Sequence, residues 1–344
     1  MLRKKTYPYL CLVLAFAAIT SMPWGSCLAV PEAELSINWR SLYSDWQKSH
    51  CKWSYYLSGS GKKSGFAMCG QGRRPIVILP GYSEPALKYM ETVHDLMAAV
   101  PDAGPIFVWE LPGQGTGDRL GYTPVLVHVD KDFRYIDDFL TFWDTELKKP
   151  EFAKPVIVAH STGALVAFAA SERRPDDLAG IMALSPLVRP NLPMPVNFVY
   201  FIAKSYHHLG FGEFAVWGQA SRPIENQKFE TNKSTDSTIR WNISHNLLVE
   251  SPQIFTHGIS WDWLKSMIKM GGEVLDNSSK IKTKIQIIKP EKDFYVDGSS
   301  SESFCKSLSR CSWVNIPGDK HETLQLVDKR RDEVLTRITD FLKQ

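Results

Sequence analysis

Ser161 is preceded by the apolar run Val156-Ile157-Val158-Ala159-His160 and followed by Thr162-Gly163-Ala164-Leu165-Val166. A strand that passes straight into a helix through small residues makes a sharp turn, and such a turn lifts a serine hydroxyl clear of a sheet as a nucleophile requires. Small neighbours are needed because the strand and helix backbones approach closely there. The usual Gly-x-Ser-x-Gly is represented by Ala159-x-Ser161-x-Gly163, and one extra methyl group leaves the turn feasible. A serine that merely caps a helix would look similar in isolation. What separates the two readings is whether a base, an acid and N–H donors fall where acyl transfer needs them.

A serine hydroxyl is a weak nucleophile until a base takes its proton, and the oxyanion that follows needs donors. On a strand-turn-helix scaffold the acid and then the histidine come after the serine in the chain. His321 lies in Ile316-Pro317-Gly318-Asp319-Lys320-His321-Glu322, after an apolar run and before a helical stretch. Asp293 follows the preceding apolar run in Lys289-Pro290-Glu291-Lys292-Asp293-Phe294, with Asp297 in competition and Asp319 a more distant rival. Upstream, Ile76-Val77-Ile78-Leu79-Pro80-Gly81-Tyr82 reads as a strand ending at Gly81. By this order the N–H groups of Tyr82 and Thr162 would receive the oxyanion. Such chemistry requires no metal and no cofactor, and none is expected.

Groups so far apart in sequence meet only if several strands end on one edge of a sheet. Short apolar runs at 75–79, 105–110, 155–160, 180–185, 284–289 and 312–316 are mostly rich in Val and Ile, as strands buried on both faces should be. Helical stretches at 85–99, 132–148, 162–174, 300–309 and 322–342 separate them. The fold class is therefore α/β, a mostly parallel sheet with helices on both faces. An amphipathic helix at 30–50 (Leu35, Trp39, Leu42, Trp46) and two short strands within 52–69 precede this alternation. Between 185 and 284 lie roughly 100 residues, too many for a structureless loop in a compact domain. They are rich in aromatics, including Phe198, Phe201, Tyr206, Phe214, Trp217, Trp261 and Trp263, and read as a helical cap over the sheet's carboxyl edge. The expected organisation is a leader at 1–29, core at 30–186, cap at 187–280 and core again at 281–344.

The order of several segments is more specific than any one of them. These are Leu79-Pro80-Gly81-Tyr82-Ser83-Glu84-Pro85-Ala86-Leu87-Lys88-Tyr89, Glu110-Leu111-Pro112-Gly113-Gln114-Gly115-Thr116-Gly117-Asp118-Arg119, Ala159-His160-Ser161-Thr162-Gly163, residues 252–263, and Gly318-Asp319-Lys320-His321-Glu322. Together they resemble the α/β-hydrolases that include bacterial lysophospholipases and monoacylglycerol lipases. The resemblance covers most of 52–342 and implies an α/β-hydrolase fold. It also implies a triad of Ser161, Asp293 and His321, with Tyr82 and Thr162 at the oxyanion hole. The implied activity is hydrolysis of a lysophospholipid, a monoacylglycerol or a similar single-chain ester through an acyl-enzyme. Two segments depart from the family pattern: its His-Gly is Pro80-Gly81, and its Asp-His-Arg-Gly is Glu110-Leu111-Pro112-Gly113. The turn glycines Gly113 and Gly115 remain, but the hydrogen bonding around Glu110 must differ. Alternatives are a small-ester esterase, an acyltransferase, or a non-catalytic binding protein, the last disfavoured by the intact Ser, Asp and His.

The rest of the chain bounds the setting. Arg3, Lys4 and Lys5 precede an apolar run from Leu10 to Ile19 and small residues up to Ala29, the layout of a secretory signal peptide. Such a run spans about 15 Å as a helix, half the bilayer core, although an uncleaved anchor is the competing reading. Three of the 40 basic residues and none of the 37 acidic ones lie in 1–29, so the mature chain would carry no net formal charge. Nothing in that balance favours a nucleic-acid partner. Cys51, Cys69, Cys305 and Cys311 form two local pairs suited to disulfides in an oxidising compartment, although four cysteines allow three connectivities. A zinc site is disfavoured, since neither pair has C-x-x-C spacing or a neighbouring histidine cluster. The expected setting is export to a periplasm or the exterior, with a small-molecule or lipid ester as substrate. Peripheral contact with a membrane, if any, would fall to the N-terminal segment.

Overall fold

The computed structural model describes residues 29–344 except Ser221, so the leader lies, but for Ala29, outside the described residues. Helix α1 (Glu32–His50) begins after Pro31, with Glu32 and Glu34 in its first turn and Lys48 and His50 in its last. Those charges oppose the helix dipole at both ends. Its buried stripe is Leu35, Trp39, Tyr43 and Trp46. Strands β1 (Cys51–Leu57) and β2 (Lys63–Arg74) form an antiparallel hairpin in which Cys51 faces Cys69, and the two are joined by a disulfide.

The alternating part follows as β3 (Ile76–Leu79), α2 (Met90–Ala99), β4 (Gly104–Trp109), α3 (Arg134–Phe142), β5 (Val156–His160), α4 (Thr162–Arg173) and β6 (Gly180–Leu184). Then come α5 (Val196–His208), α6 (Thr238–Glu250) and α7 (Trp261–Asp276), and the chain ends with β7 (Ile285–Pro290), α8 (Gly298–Ser307), β8 (Cys311–Ile316) and α9 (Asp328–Leu342). The strands form one sheet in the order β1-β2-β4-β3-β5-β6-β7-β8. Strand β2 runs antiparallel to both neighbours, and every pair from β4 to β8 is parallel. The second disulfide joins Cys305 on α8 to Cys311 on β8.

Period-two alternation divides the strand residues between two apolar layers. Val77, Leu79, Phe107, Trp109, Ile157, Ala159, Ile181 and Ala183 face the layer holding α3, α4 and α7. Ile76, Ile78, Ile106, Val108, Val158, Met182 and Leu184 face the layer holding α1, α2 and α9. The chain leaves β3 toward β4 on one side and returns to place β5 on the other. Such a reversal opens a crevice at the strands' carboxyl ends, where α/β proteins bind ligands. Tyr82 follows β3 and Ser161 follows β5, so both stand at that crevice.

Within 187–280, two helices pack into the layers flanking the sheet. Val274, Met267 and Met270 of α7 join the α4 layer, and Ile243 and Leu247 of α6 join the α1 layer. Parallel strands need a crossover on one face, and α7 supplies it between β6 and β7. Helix α5 lies against α7 through Val199 and Ala203, while Phe198 and Phe201 are exposed. The helical stretch expected at 322–342 begins only at Asp328, after a single 3-10 turn. The carbonyls that would start it are taken: Arg331 Nε donates to Leu324, Thr235 Oγ1 to Gln325 and Arg240 Nη1 to Leu326.

Candidate active site

Ser161 has φ 50° and ψ −114°, a conformation that L residues adopt only when their surroundings impose it. Its N–H donates to the Leu184 carbonyl at 3.0 Å, and its own carbonyl accepts from Leu187 at 3.0 Å and Ala164 at 3.1 Å. Gly163 is required by space: a Cβ there would lie 2.2 Å from the Leu79 carbonyl oxygen. Ala159 is accommodated because it is an ordinary ladder residue of β5, paired with Leu79 and Ala183.

The turn after β3 is fixed on both sides of Tyr82. The Gly81 N–H donates to Glu84 Oε2 at 2.5 Å, and the Ser83 N–H donates to Gln114 Oε1. Between them, the Tyr82 N–H has no acceptor among the described residues, and neither has that of Thr162 at the start of α4. Two unengaged donors thus stand at the turns after β3 and β5. The Tyr82 ring packs on Trp263 with centroids 5.4 Å apart, and burial pushes its phenol up to about 12.

His321 and Asp293 meet. His321 Nδ1 lies 2.9 Å from Asp293 Oδ2, whose side chain is wholly buried. The other Asp293 oxygen accepts the Tyr295 N–H at 2.9 Å and the Val296 N–H at 3.2 Å, and Lys289 Nζ stands 3.5 Å from the carboxylate. Burial works against the charge, but the hydrogen bond from His321 and the Lys289 ammonium outweigh it and hold Asp293 below the usual carboxylate range. Burial holds the His321 imidazole below its usual value despite Asp293, and neighbouring His160 adds to that depression. Asp297 is elsewhere: it caps α8 by accepting from the Ser299 N–H and the Ser299 and Ser300 hydroxyls. Asp319 pairs with Arg330 at 3.3 Å.

Sequence reasoning passed over the groups that hold these loops. The His321 carbonyl accepts from Ser185 Oγ at 2.6 Å, and His160 Nε2 lies 3.2 Å from it. Ser185 makes that reach from a left-handed backbone, φ 47°. Glu110, the departure in the second matching segment, is buried and accepts the Ala86 N–H at 3.0 Å and the Thr116 N–H at 2.7 Å. Ser185 and Glu110 each lie one step beyond an apolar strand, and His160 is the last residue of one. The segment 226–237 also reaches the base loop: the Glu322 N–H donates to the Ser234 carbonyl at 2.8 Å, and Lys320 pairs with Asp236 at 2.7 Å.

A family model described as serine aminopeptidase S33, of the Hydrolase_4 group, matches residues 70–328. The chain belongs to this family of α/β-hydrolases. The match takes in β3, the elbow, the insertion and His321, stopping at the first residue of α9. Lysophospholipase L2 of Escherichia coli K12 is 26% identical over 281 residues, covering 79% of this chain and 81% of the relative. The fold is shared with a carboxyl esterase from Bacillus coagulans (TM-score 0.70, 15% identity, 86% of this chain and 98% of the other). It is also shared with a monoglyceride lipase from Saccharomyces cerevisiae (TM-score 0.66, 16% identity, 87% and 97%). The lysophospholipase and monoacylglycerol lipase resemblance read from the motifs agrees with these comparisons.

Proposed function

We propose that this S33-family hydrolase cleaves carboxylic esters of single-chain lipids, lysophospholipids or monoacylglycerols, through an acyl-enzyme on Ser161. The observation that carries the reading is the pair of unengaged N–H groups on Tyr82 and Thr162, supported by the strained backbone of Ser161 and the buried His321–Asp293 pair. In the reaction, Ser161 Oγ attacks the ester carbonyl carbon while His321 Nε2 takes its proton, and Asp293 accepts from Nδ1. The two N–H groups receive the oxyanion. Collapse expels the alcohol, protonated by His321, and leaves the acyl group on Ser161. A water deprotonated by His321 then releases the fatty acid and restores the serine.

Ester hydrolysis is the activity that the family and its named relatives support. The lipid substrate is favoured by the E. coli relative and by the surface of the insertion. Phe198, Phe201, Phe211, Phe214 and Trp217 are each between 45% and 64% exposed, an apolar patch suited to a lipid surface. Such a patch extends the peripheral membrane contact considered above from the leader to α5 and the turn that follows it. No described helix is long and apolar enough to cross a membrane. Export is supported by the two disulfides, which persist in oxidising compartments.

The test combines a fluorophosphonate probe with lipid turnover by the purified protein. Labelling on the Ser161 peptide, with release of fatty acid from lysophosphatidylcholine or monoacylglycerol, is the expected result. Labelling with turnover of short esters only would transfer the assignment to a small-ester esterase. An unlabelled Ser161 in folded protein would end the enzymatic reading.

A further inference from the structure

His160, the residue before the serine, is buried with both ring nitrogens engaged. Nδ1 lies 2.9 Å from Glu84 Oε2, and Nε2 lies 3.2 Å from the main-chain oxygen of His321. A carbonyl oxygen only accepts, and so does an ionised carboxylate. Glu84 is ionised by its company: it also accepts the Gly81 N–H, the Tyr89 hydroxyl at 2.6 Å and Lys88 Nζ at 2.6 Å. A neutral imidazole would turn a lone pair toward one of these acceptors, a repulsive contact between two buried groups.

Charge balance points the same way. The groups around the ring are Glu84, Lys88 and Tyr89 from the turn after β3, and His321 and Glu322 from the base loop. Lys88 Nζ bridges Glu84 and Glu322 at 2.6 Å to each. One ammonium shared between buried Glu84 and half-buried Glu322 leaves a negative charge over, and a charged His160 cancels it.

We propose that His160 is an imidazolium that positions the base: through Nε2–H it holds the main chain of His321, and through Nδ1–H it ties that loop to Glu84 and the Gly81 turn. One buried cation thereby joins the oxyanion turn, the elbow and the base loop. It also sets a positive charge beside His321, with ring centroids 4.8 Å apart. That charge disfavours a second imidazolium, so His321 remains an unprotonated base at lower pH than it otherwise would. Glu84 pulls the His160 proton affinity upward against the effect of burial, in the same sense. The role as base-positioning group rests on the Ser161–His321 reading given above, whereas the protonation state does not.

The experiment is nitrogen-15 NMR of the histidine rings in the full chain, with pH profiles of p-nitrophenyl ester hydrolysis. At pH 8 one ring is expected to carry protons on both nitrogens in wild type and in Ser161→Ala, and in neither His160→Gln nor Glu84→Gln. His160→Gln is expected to lower kcat roughly ten- to a hundredfold with KM little changed, as misplacement of a reacting group does. Its acid limb of kcat/KM should move up by roughly one pH unit as the neighbouring cation is lost. A His160 ring with one bare nitrogen at pH 7 overturns the proposal, and so does an unshifted acid limb in folded His160→Gln. Should His160→Gln not fold, the wild-type and Glu84→Gln spectra decide. The NMR needs no turnover, so an inactive wild-type protein would refute the hydrolase reading while the ring protons still judge this one.

Discussion

A Cβ on Gly163 would stand 2.2 Å from the Leu79 carbonyl oxygen and 2.6 Å from that of Pro80, so the elbow helix is seated directly on the oxyanion turn. The obstacle is backbone on both counts and cannot rotate away. Gly163→Ala should therefore destabilise the fold by about 3 kcal/mol, the upper end of the usual cost of overpacking. It should also separate Tyr82 from Thr162 and lower turnover in whatever fraction folds. Thermal melts and ester assays together test this, and a wild-type melt with wild-type turnover would contradict it.

Ser161→Ala and His321→Ala should each cut turnover on the order of 10⁴-fold or more without unfolding the protein. Among the acids, Asp293→Asn should be crippled because its amide would no longer hold the His321 tautomer. Asp297→Asn should lose only part of a helix cap, about 1 kcal/mol of stability. If Asp297→Asn is the inactive one, the acid has been misassigned despite the 2.9 Å approach of Asp293 to His321.

The pH dependence follows from burial. In the proposed mechanism His321 is the neutral base, and burial depresses its imidazole, so the acid limb of kcat/KM should fall below the ordinary histidine value of about 6.5. Asp293 and Glu84 are both depressed by their partners, so their contribution to stability is present above the ordinary carboxylate range. It is lost as pH falls through their folded values, and acid unfolding should set in below about pH 4. An acid limb above pH 7 would show that the depression is not there.

Legibility tracked the distance over which a residue acts. Runs such as Ile76–Leu79 announce themselves, because strands buried on both faces carry apolar side chains at every position. Ser161 and Asp293 each follow such a run and His321 follows the more exposed β8, and the geometry puts Asp293 rather than Asp297 against His321. What stayed hidden was long-range pairing of polar groups. Nothing local tells that Glu84 meets His160, 76 positions away, or that Arg240 and Arg331 draw off the carbonyls before α9. The aromatics of the insertion misled in another way. They were read as a cap over the sheet's carboxyl edge, yet Phe198, Phe201, Phe214 and Trp217 are exposed, and of the aromatics named for it only Trp261 and Trp263 are buried.

The Cys51–Cys69 bond closes a loop of 18 residues across paired strands. In the chain-entropy model a loop of that size is worth about 3 kcal/mol, so Cys51→Ser with Cys69→Ser should melt well below wild type. Peptide mapping without reduction should recover both bonds from exported protein. Four free thiols there would remove the support that the disulfides give to export.

Substrate length is the last point that measurement can settle. Aromatic rings adjoin the proposed site: Tyr82 packs on buried Trp263, and the Tyr295 ring lies 5.0 Å from that of His321. An acyl chain seated among such rings gains about 0.8 kcal/mol per methylene withdrawn from water, close to fourfold in kcat/KM when the gain is kept in the transition state. For p-nitrophenyl esters from acetate to palmitate, kcat/KM should therefore climb steeply and then level where the apolar wall ends. The exposed aromatics of the insertion add a second expectation. If they rest on a lipid surface, activity on lysophosphatidylcholine should rise as the substrate passes from monomers to micelles, and Phe201→Ser with Phe214→Ser should flatten that rise while sparing short soluble esters. A maximum at acetate or butyrate would make this a small-ester esterase. A chain-length climb with no response to aggregation would keep the lipid substrate and strip the aromatic patch of its role, because the acyl site and the outer surface are separate parts of the molecule.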